Sequence, residues 1–233
     1  MATKSSTSQA ASKLRQPIVC VLGHVDHGKT TLLDLIRGTS VASKEPGGIT
    51  QRIAATTVDI STILKETEKL NTKGLKIPGL LFIDTPGHVA FSNMRARGGA
   101  LADLAILVID INEGIMPQTV ESIDILKKFK TPFIIAANKI DLIPFFTDVK
   151  TTLFTEFIRK QRPEYVNELE NRIYNIMNKL YEFGLNSDRF DRISDFTKTV
   201  AIVPVSAKKN IGVPEILMVL AGLAQRFLDR EIE

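Results

Sequence analysis

An apolar run that leads directly into a glycine-rich loop constrains the fold of this chain more than any other feature. Residues 18–22 read Ile-Val-Cys-Val-Leu, and Gly23-His24-Val25-Asp26-His27-Gly28-Lys29-Thr30 follows them. This segment satisfies the pattern G-x-x-x-x-G-K-[ST], which joins a strand to a helix. The glycines allow tight wrapping, so that backbone N–H groups and the start of the helix face phosphate oxygens. The pattern therefore predicts a phosphate-binding loop.

Short apolar runs recur along the chain and alternate with helical stretches. Continuous runs of this kind are typical of parallel strands that are covered on both faces. We therefore predict an α/β fold of the P-loop NTPase type, with a mostly parallel sheet flanked by helices on both faces. The predicted strands are 18–22, 80–84, 104–109, 133–137 and 200–205, and the predicted helices are 29–37, 88–101, 117–129 and 212–230.

Two segments interrupt this alternation. Residues 38–79 are rich in Gly, Thr and Lys, and we expect a mobile loop and a hairpin with an edge strand near 53–63. Residues 145–198 contain apolar positions at helical spacing, which predicts a helical insertion whose apolar face either packs on the domain or meets a partner. These positions are Val166, Leu169, Ile173, Ile176, Met177 and Leu180. Residues 1–13 offer little to bury and predict a disordered tail, which leaves one domain over 14–233.

The residues of the glycine-rich loop suggest how it would bind a nucleotide. Lys29 supplies a positive charge to the β- and γ-phosphates, and the Thr30 hydroxyl suits Mg²⁺, which prefers oxygen ligands. The carboxylate of Asp26 would be repelled by phosphates, so we predict a monovalent cation, K⁺ or Na⁺, between Asp26, the phosphates and a carbonyl near Gly48. The predicted nucleotide-binding residues of this loop are Val25, Asp26, His27, Gly28, Lys29, Thr30 and Thr31.

A second motif, Asn138-Lys139-Ile140-Asp141, follows the apolar run 133–137. Ligands of open α/β sheets bind at this edge of the strands. The Asp141 carboxylate can accept hydrogen bonds from N1–H and N2–H₂ of guanine, a donor pair that adenine lacks. Asn138 can lie near N7 and tie loops together, while the stem of Lys139 covers a ring face. Ser206-Ala207-Lys208 would complete the pocket, with the Ala207 N–H at O6, so we predict GTP and GDP as ligands.

A third motif, Asp84-Thr85-Pro86-Gly87-His88, follows the apolar run 80–84. Asp84 can hold Mg²⁺ through a water molecule, and the Gly87 N–H can bond the γ-phosphate, whose loss would release the loop. Thr50 is either a second hydroxyl ligand of Mg²⁺ or an ordinary loop threonine. His88 is the catalytic candidate because phosphoryl transfer to water depends on orienting the nucleophile. The alternative is an exposed or helix-capping histidine.

Together, GHVDHGKT, GGITQ, DTPGH, NKID and SAK resemble the GTPase domain of the translational GTPases. PGGITQ, DTPGHVAFSNMRARGGALAD and GIMPQTVESIDILK are similar to the initiation factor 5B family, the archaeal and eukaryotic counterpart of bacterial initiation factor 2. The resemblance covers about residues 15–230. It implies switch regions near 38–58 and 84–101, a water-positioning role for His88, and an apolar gate of Val25 and Ile49.

The resemblance also implies a working context. Members of this family promote joining of the ribosomal subunits, hydrolyse GTP when the large subunit and its RNA engage them, and reach the initiator tRNA through domains that this chain lacks. Two alternatives stay open at this stage. One is a nucleotide-binding module with negligible turnover, and the other is an elongation-type, tRNA-carrying GTPase that shares the DxPGH and NKxD-like motifs.

Composition limits the remaining classes of protein. The net charge of +4 and the isoelectric point near 9.1 permit a nucleic-acid partner. The single cysteine, Cys20, excludes a disulfide within the chain and makes a zinc site with His24, His27 and His88 improbable. No run approaches the roughly 18 apolar residues that a membrane span needs. We expect a soluble, cytoplasmic monomer without membrane contacts.

Overall fold

A seven-stranded sheet forms the centre of the computed structural model, which describes residues 15–41, 55–70, 72, 74–84 and 102–231. Its strand order is β2-β3-β1-β4-β5-β7-β6. β2 pairs antiparallel with β3, and the other neighbouring pairs are parallel. The strands are β1 Ile18–Gly23, β2 Ala55–Asp59, β3 Gly79–Asp84, β4 Leu104–Asp110, β5 Phe133–Asn138, β6 Ser187–Arg189 and β7 Val200–Pro204.

Six α-helices lie in the described part of the chain. They are α1 Lys29–Val41, α2 Ile60–Glu66, α3 Pro117–Lys128, α4 Phe154–Arg159, α5 Pro163–Glu182 and α6 Val213–Glu231. Short 3₁₀ turns occur at Ile140–Leu142 and Phe190–Arg192. The helix that the sequence predicts at 88–101 lies outside the described residues. Among the helices described, none combines the length and the apolar character that crossing a membrane requires.

The predicted fold class is confirmed, because all five predicted apolar strands are present in a mostly parallel sheet with helices. β4 and β5 are buried along their whole lengths, which is the reason their sequences are continuous apolar runs rather than alternating ones. In β5 the run Phe-Ile-Ile-Ala-Ala ends at Asn138, so the first polar side chain appears where the strand reaches the edge of the sheet.

The prediction of an edge strand over 53–63 is wrong beyond Asp59. β2 ends at Asp59, and α2 starts at the next residue. The segment Ile60-Ser61-Thr62-Ile63 is rich in residues that favour strands, but Thr62 and Ile63 are buried on one side of a helical turn. Tertiary packing therefore overrides local propensity here, and the antiparallel β2 and β3 are joined by a helix rather than by a simple hairpin loop.

The segment 145–198 contains α4, α5 and β6. The apolar face of α5 packs against the domain, as the predicted helical spacing requires, with Leu169, Ile173, Ile176 and Leu180 buried. The strand β6 was not expected from Ser-Asp-Arg, and it extends the sheet beyond β7. Arg189 in β6 forms ion pairs with Glu170 of α5 and with Asp191, which explains how a polar tripeptide is held at this edge.

Candidate functional site

The glycine-rich loop leaves β1 at the carboxyl edge of the sheet and enters α1. Gly23 has φ +139°, and a Cβ atom there would lie 2.3 Å from the carbonyl oxygen of Val108 in β4. Gly28 has φ +88°, and a Cβ atom there would lie 2.3 Å from Nδ2 of Asn138. Both glycines are therefore required by close packing as well as by backbone conformation. The loop is seated directly on its neighbours in the sheet.

Lys29 holds the loop in its wrapped shape. Its Nζ donates hydrogen bonds to the carbonyl oxygens of Gly23 at 2.8 Å and His24 at 2.6 Å. Thr30 and Thr31 follow in the first turn of α1, and both are exposed. A lysine and a threonine thus occupy the first turn of a helix that starts at the loop, and these residue types suit a Mg²⁺-bound phosphate group.

The tip of the loop is Val25-Asp26. Asp26 adopts the left-handed conformation, with φ 65°, and its side chain is exposed. The Val25 side chain is also exposed, and its backbone N–H donates to Oε1 of Gln118 in α3 at 3.2 Å. An apolar side chain and a carboxylate therefore stand at the mouth of the loop rather than in the core.

Asn138 connects the glycine-rich loop to the Ser206-Ala207-Lys208 loop. Its Nδ2 donates to the carbonyl oxygen of His27 at 2.9 Å, and its Oδ1 accepts a hydrogen bond from the N–H of Ala207 at 3.0 Å. The side chain is almost fully buried, so both bonds form away from water. One amide side chain thereby fixes the positions of three loops relative to one another.

Asp141 is held by Ser206. The Ser206 hydroxyl donates to Oδ1 of Asp141 at 2.6 Å, and the Ser206 oxygen accepts the N–H of Lys209 at 3.0 Å. Asp141 is half-buried, whereas Lys208 is exposed beside the buried Ala207. The carboxylate is oriented by a hydroxyl, and because each of its oxygens can accept more than one hydrogen bond, both keep acceptor capacity for a ligand.

Lys139 is held by Asp110. The residue adopts the left-handed conformation, with φ 65°, and its Nζ lies 2.8 Å from Oδ2 of Asp110. Burial alone would raise the pKa of Asp110, but hydrogen bonds from Lys139 and Asn112 outweigh it and place the pKa below its ordinary value. Asp110 is therefore charged at neutral pH. It fixes the course of the lysine stem along the candidate base site.

His27 links the phosphate loop to the segment after β4. Its side chain is fully buried, and Nε2 lies 3.1 Å from Oε2 of Glu113. Burial lowers the pKa of His27 although Glu113 acts in the opposite direction, so the ring is neutral at pH 7 and donates from Nε2 to the carboxylate. The ring of His24 packs edge-on against it at 5.0 Å between centroids.

Several predicted site residues lie outside the described part of the chain. These are Ile49, Thr50, Gly87 and His88. Asp84 is the last residue of β3, and its backbone is paired with Val21 of β1, but its side chain is not among those described. The predicted switch segment and the catalytic histidine therefore remain sequence-based predictions.

Sequence reasoning missed four residues that support the site, namely Asp110, Glu113, Gln118 and Tyr165. Three of them contact the motifs from distant positions, and no local pattern indicates those contacts. Tyr165 did carry a signal, because it lies four residues before Leu169 and eight before Ile173 on the buried face of α5. Its hydroxyl donates to the carbonyl oxygen of Ile140, inside the NKID segment, at 2.9 Å.

Comparisons with known proteins identify the family of this chain. The model of the Elongation factor Tu GTP binding domain family matches residues 14–226. A probable translation initiation factor IF-2 of Thermoplasma acidophilum is 97% identical over 233 residues, and that of Thermoplasma volcanium is 90% identical over the same length. The chain spans 40% of the length of each of these two relatives.

Solved structures are similar as well. GDP-bound aIF5B from Aeropyrum pernix matches with a TM-score of 0.86 and 56% identity, over 95% of this chain and 38% of that one. The bacterial selenocysteine-specific elongation factor EF-Sec matches with a TM-score of 0.53 and 24% identity, over 91% of this chain and 29% of that one. At that identity the second match speaks for the fold alone.

Proposed function

Because this chain belongs to the Elongation factor Tu GTP binding domain family, we propose that it binds GTP and hydrolyses it to GDP and phosphate as the switch domain of a translation initiation factor. In this proposal the whole factor promotes joining of the ribosomal subunits, and the large subunit with its RNA stimulates hydrolysis. The relatives named as probable initiation factors support this assignment. The elongation-type neighbour EF-Sec is 24% identical and supports the fold alone, so the family match by itself does not favour the elongation-type alternative over the initiation factor.

The observation that carries the proposal is the base site around Asp141. Ser206 occupies one carboxylate oxygen of Asp141, and Asn138 ties the adjoining loops to the phosphate loop. A fixed carboxylate can accept the N1–H and N2–H₂ donors of guanine together, whereas adenine offers no such pair. The Ala207 N–H, which the sequence predicts at guanine O6, donates to Oδ1 of Asn138 in this structure, so it would have to be shared between that oxygen and O6 when guanine binds. This arrangement favours GTP and GDP over adenine nucleotides.

The phosphates and Mg²⁺ would be held by the loop 23–31. Lys29 and the backbone N–H groups bind the phosphates, and the Thr30 hydroxyl ligates the metal. Thr50 and, through water, Asp84 are proposed as further groups around the ion. When bound, Mg²⁺ neutralises charge that develops on the β- and γ-phosphate oxygens. The exposed Thr30, which follows Lys29 in the first turn of α1, supports this part of the site.

Hydrolysis would depend on His88 and its surroundings. We expect His88 to orient the attacking water, with Gly87 bonding the γ-phosphate and with Val25 and Ile49 limiting access until the ribosome engages the domain. The exposed position of the Val25 side chain at the mouth of the loop supports a gating role. The isolated chain should therefore turn over slowly, since the nucleophile is positioned only on the ribosome.

A monovalent cation would offset the charge of Asp26, which stands at the tip of the loop with its side chain exposed. We expect ribosome-stimulated hydrolysis to be faster in K⁺ or Na⁺ than in a bulky organic cation at matched ionic strength. Equal rates in these buffers would remove this part of the proposal. The domain would act as a cytoplasmic monomer, and contact with initiator tRNA would come from parts of the longer factor.

Single-turnover GTP hydrolysis tests the whole proposal. The rate would be measured for this chain and for the full-length relative of Thermoplasma acidophilum, each alone and with large ribosomal subunits. We expect slow hydrolysis alone and a strong increase for the full-length protein on the ribosome. A rate that ribosomes do not change would favour a pure nucleotide-binding module. Tight binding of elongator aminoacyl-tRNA would favour the elongation-type alternative.

A further inference from the structure

The segment 145–198 contacts both loops of the candidate base site. The N–H of Gly212, just after the Ser206-Ala207-Lys208 loop, donates to the carbonyl oxygen of Thr152 at 2.8 Å. In the same region, Lys209 Nζ donates to Oδ2 of Asp148 at 2.6 Å. The loop that orients Asp141 is therefore fastened to residues that precede α4.

The NKID segment is fastened through Tyr165. The Tyr165 hydroxyl donates to the carbonyl oxygen of Ile140 at 2.9 Å, and the Ile140 N–H donates to the carbonyl oxygen of Val205 at 3.2 Å. Ile140 stands between Lys139 and Asp141, the two residues expected to contact the base. The peptide groups on both sides of Ile140 are thus fixed, one by α5 and the other by the end of β7.

The ring of Tyr165 is locked in place. It is fully buried and meets Phe157 edge-on at 5.6 Å and Phe146 edge-on at 6.0 Å between centroids. A phenylalanine would satisfy this packing, whereas burying a hydroxyl is costly unless it forms a hydrogen bond. Burial raises the pKa of Tyr165, and the charge of Asp141 acts in the same direction. The hydroxyl therefore stays protonated as a donor, and it interacts electrostatically with the carboxylate of Asp141.

We propose that Tyr165 is a positioning residue for guanine selectivity, which acts by holding the Ile140 carbonyl so that Asp141 faces both donors of the base. The inference rests on the proposed guanine site at Asp141. It gives the insertion a role in specificity as well as in packing. A rotation of the carboxylate that lengthens or bends one of its two bonds to guanine would weaken that bond more than the other.

The test compares the affinities of this chain for GDP and for inosine diphosphate, which has N1–H but lacks the 2-amino group. In the wild-type chain we expect GDP to bind about tenfold or more tightly than inosine diphosphate, the equivalent of one charge-assisted hydrogen bond. In Tyr165→Phe the preference should fall to about two- to threefold. Tyr174→Phe is the matched control, because it removes a hydroxyl from an exposed position of the same helix, and it should keep the wild-type preference.

Other outcomes count against the inference. If Tyr165→Phe lowers the affinities for GDP and inosine diphosphate equally, or lowers neither, Tyr165 contributes to packing alone. The inference is then wrong, while the proposed function stands. If the wild-type chain itself does not prefer GDP to inosine diphosphate and to ADP, the proposed guanine site fails, and the inference fails with it.

A second measurement keeps the inference testable should Tyr165→Phe prove too unstable to purify. The chain has three tyrosines, so Tyr174→Phe with Tyr181→Phe leaves Tyr165 alone, where 3-fluorotyrosine can report on it. Its fluorine resonance should differ between the complexes with GDP and with inosine diphosphate. Identical resonances in the two complexes would overturn the positioning role.

Discussion

The hydroxyl of Ser206 donates to the carboxylate of Asp141 at 2.6 Å across 65 positions of sequence. The bond joins the end of β7 to the end of β5, which are neighbouring strands. Two motifs that are each too short to identify a ligand therefore act as one surface. In the proposed function, selectivity for guanine would depend on this joint arrangement more than on either motif alone.

Asp141→Asn should change the preferred base. The asparagine cannot accept both guanine donors, so we expect GDP to bind about 10²-fold more weakly, and the amide can instead donate to the 2-oxo group of xanthine. Competition between GDP and xanthosine diphosphate measures the change. Asp124→Asn, which alters an exposed carboxylate on α3 away from the candidate base site, is the control. An unchanged preference for guanine in Asp141→Asn would rule out the assignment of this residue.

Asn138→Ala should weaken the binding of every nucleotide. The substitution leaves the His27 carbonyl and the Ala207 N–H without their buried partner, at about 1–3 kcal/mol for each unsatisfied group. We expect nucleotide affinity to fall at least about tenfold and the melting temperature to drop. Isothermal titration and thermal unfolding measure the two effects. Asn175→Ala on the exposed side of α5 should change neither, and wild-type affinity in Asn138→Ala would contradict the bridging role.

His88→Ala should affect hydrolysis without affecting binding. A histidine that positions water contributes about 10²–10⁴-fold, and we expect ribosome-stimulated hydrolysis to fall within that range. GTP and GDP affinities should remain close to those of the wild type, because His88 is expected to act on the attacking water in the transition state and not to bind the nucleotide. Single-turnover hydrolysis on ribosomes is the measurement, with nucleotide titration as its control. Hydrolysis at the wild-type rate would leave His88 as an exposed or capping residue.

Glu215→Gln should stabilise the domain in a pH-dependent way. Glu215 is fully buried, and burial raises its pKa above the ordinary value of 4.5 despite hydrogen bonds from the backbone of Thr155 and its neighbours. The folded state therefore binds the proton more tightly than the unfolded state does. The stability that this group contributes is present below pH 4.5 and is lost as the pH rises through the raised pKa.

The measurement is thermal unfolding of wild type and Glu215→Gln between pH 4 and pH 7.5. The stability of the variant should increase relative to that of the wild type as the pH rises. Each 1 kcal/mol of difference in stability corresponds to a melting temperature about 2–4 °C higher. Glu164→Gln, an exposed carboxylate in the first turn of α5, should show no such trend. A difference that does not depend on pH would show that Glu215 does not titrate in this range.

The sheet and much of the site could be predicted because both rest on local patterns. Strands that are buried on both faces must be continuous apolar runs, as β4 and β5 are, and such runs are visible in the sequence. The motifs follow those runs directly, so the sequence predicts Asn138 and Asp141 at the edge of the sheet.

The remainder could not be predicted because it depends on contacts between distant residues. Arg189 is held in β6 by Glu170, which no feature of the tripeptide Ser-Asp-Arg indicates. Glu113 meets His27 from 86 positions away. Helix α2 forms from residues that favour strands, because burial of Ile63 against the core outweighs their local preference.

The strand order separates two tasks on either side of β1. The base-reading loops follow β5 and β7, which the insertion and β6 support, whereas the DTPGH motif follows β3 on the other flank. In the proposed function, loss of the γ-phosphate would act at the motif after β3, on the flank of β1 opposite the loops that we expect to bind guanine. The domain would then retain its nucleotide during hydrolysis while its conformation depends on the third phosphate. The duration of each state would be set by the rates of hydrolysis and of nucleotide exchange.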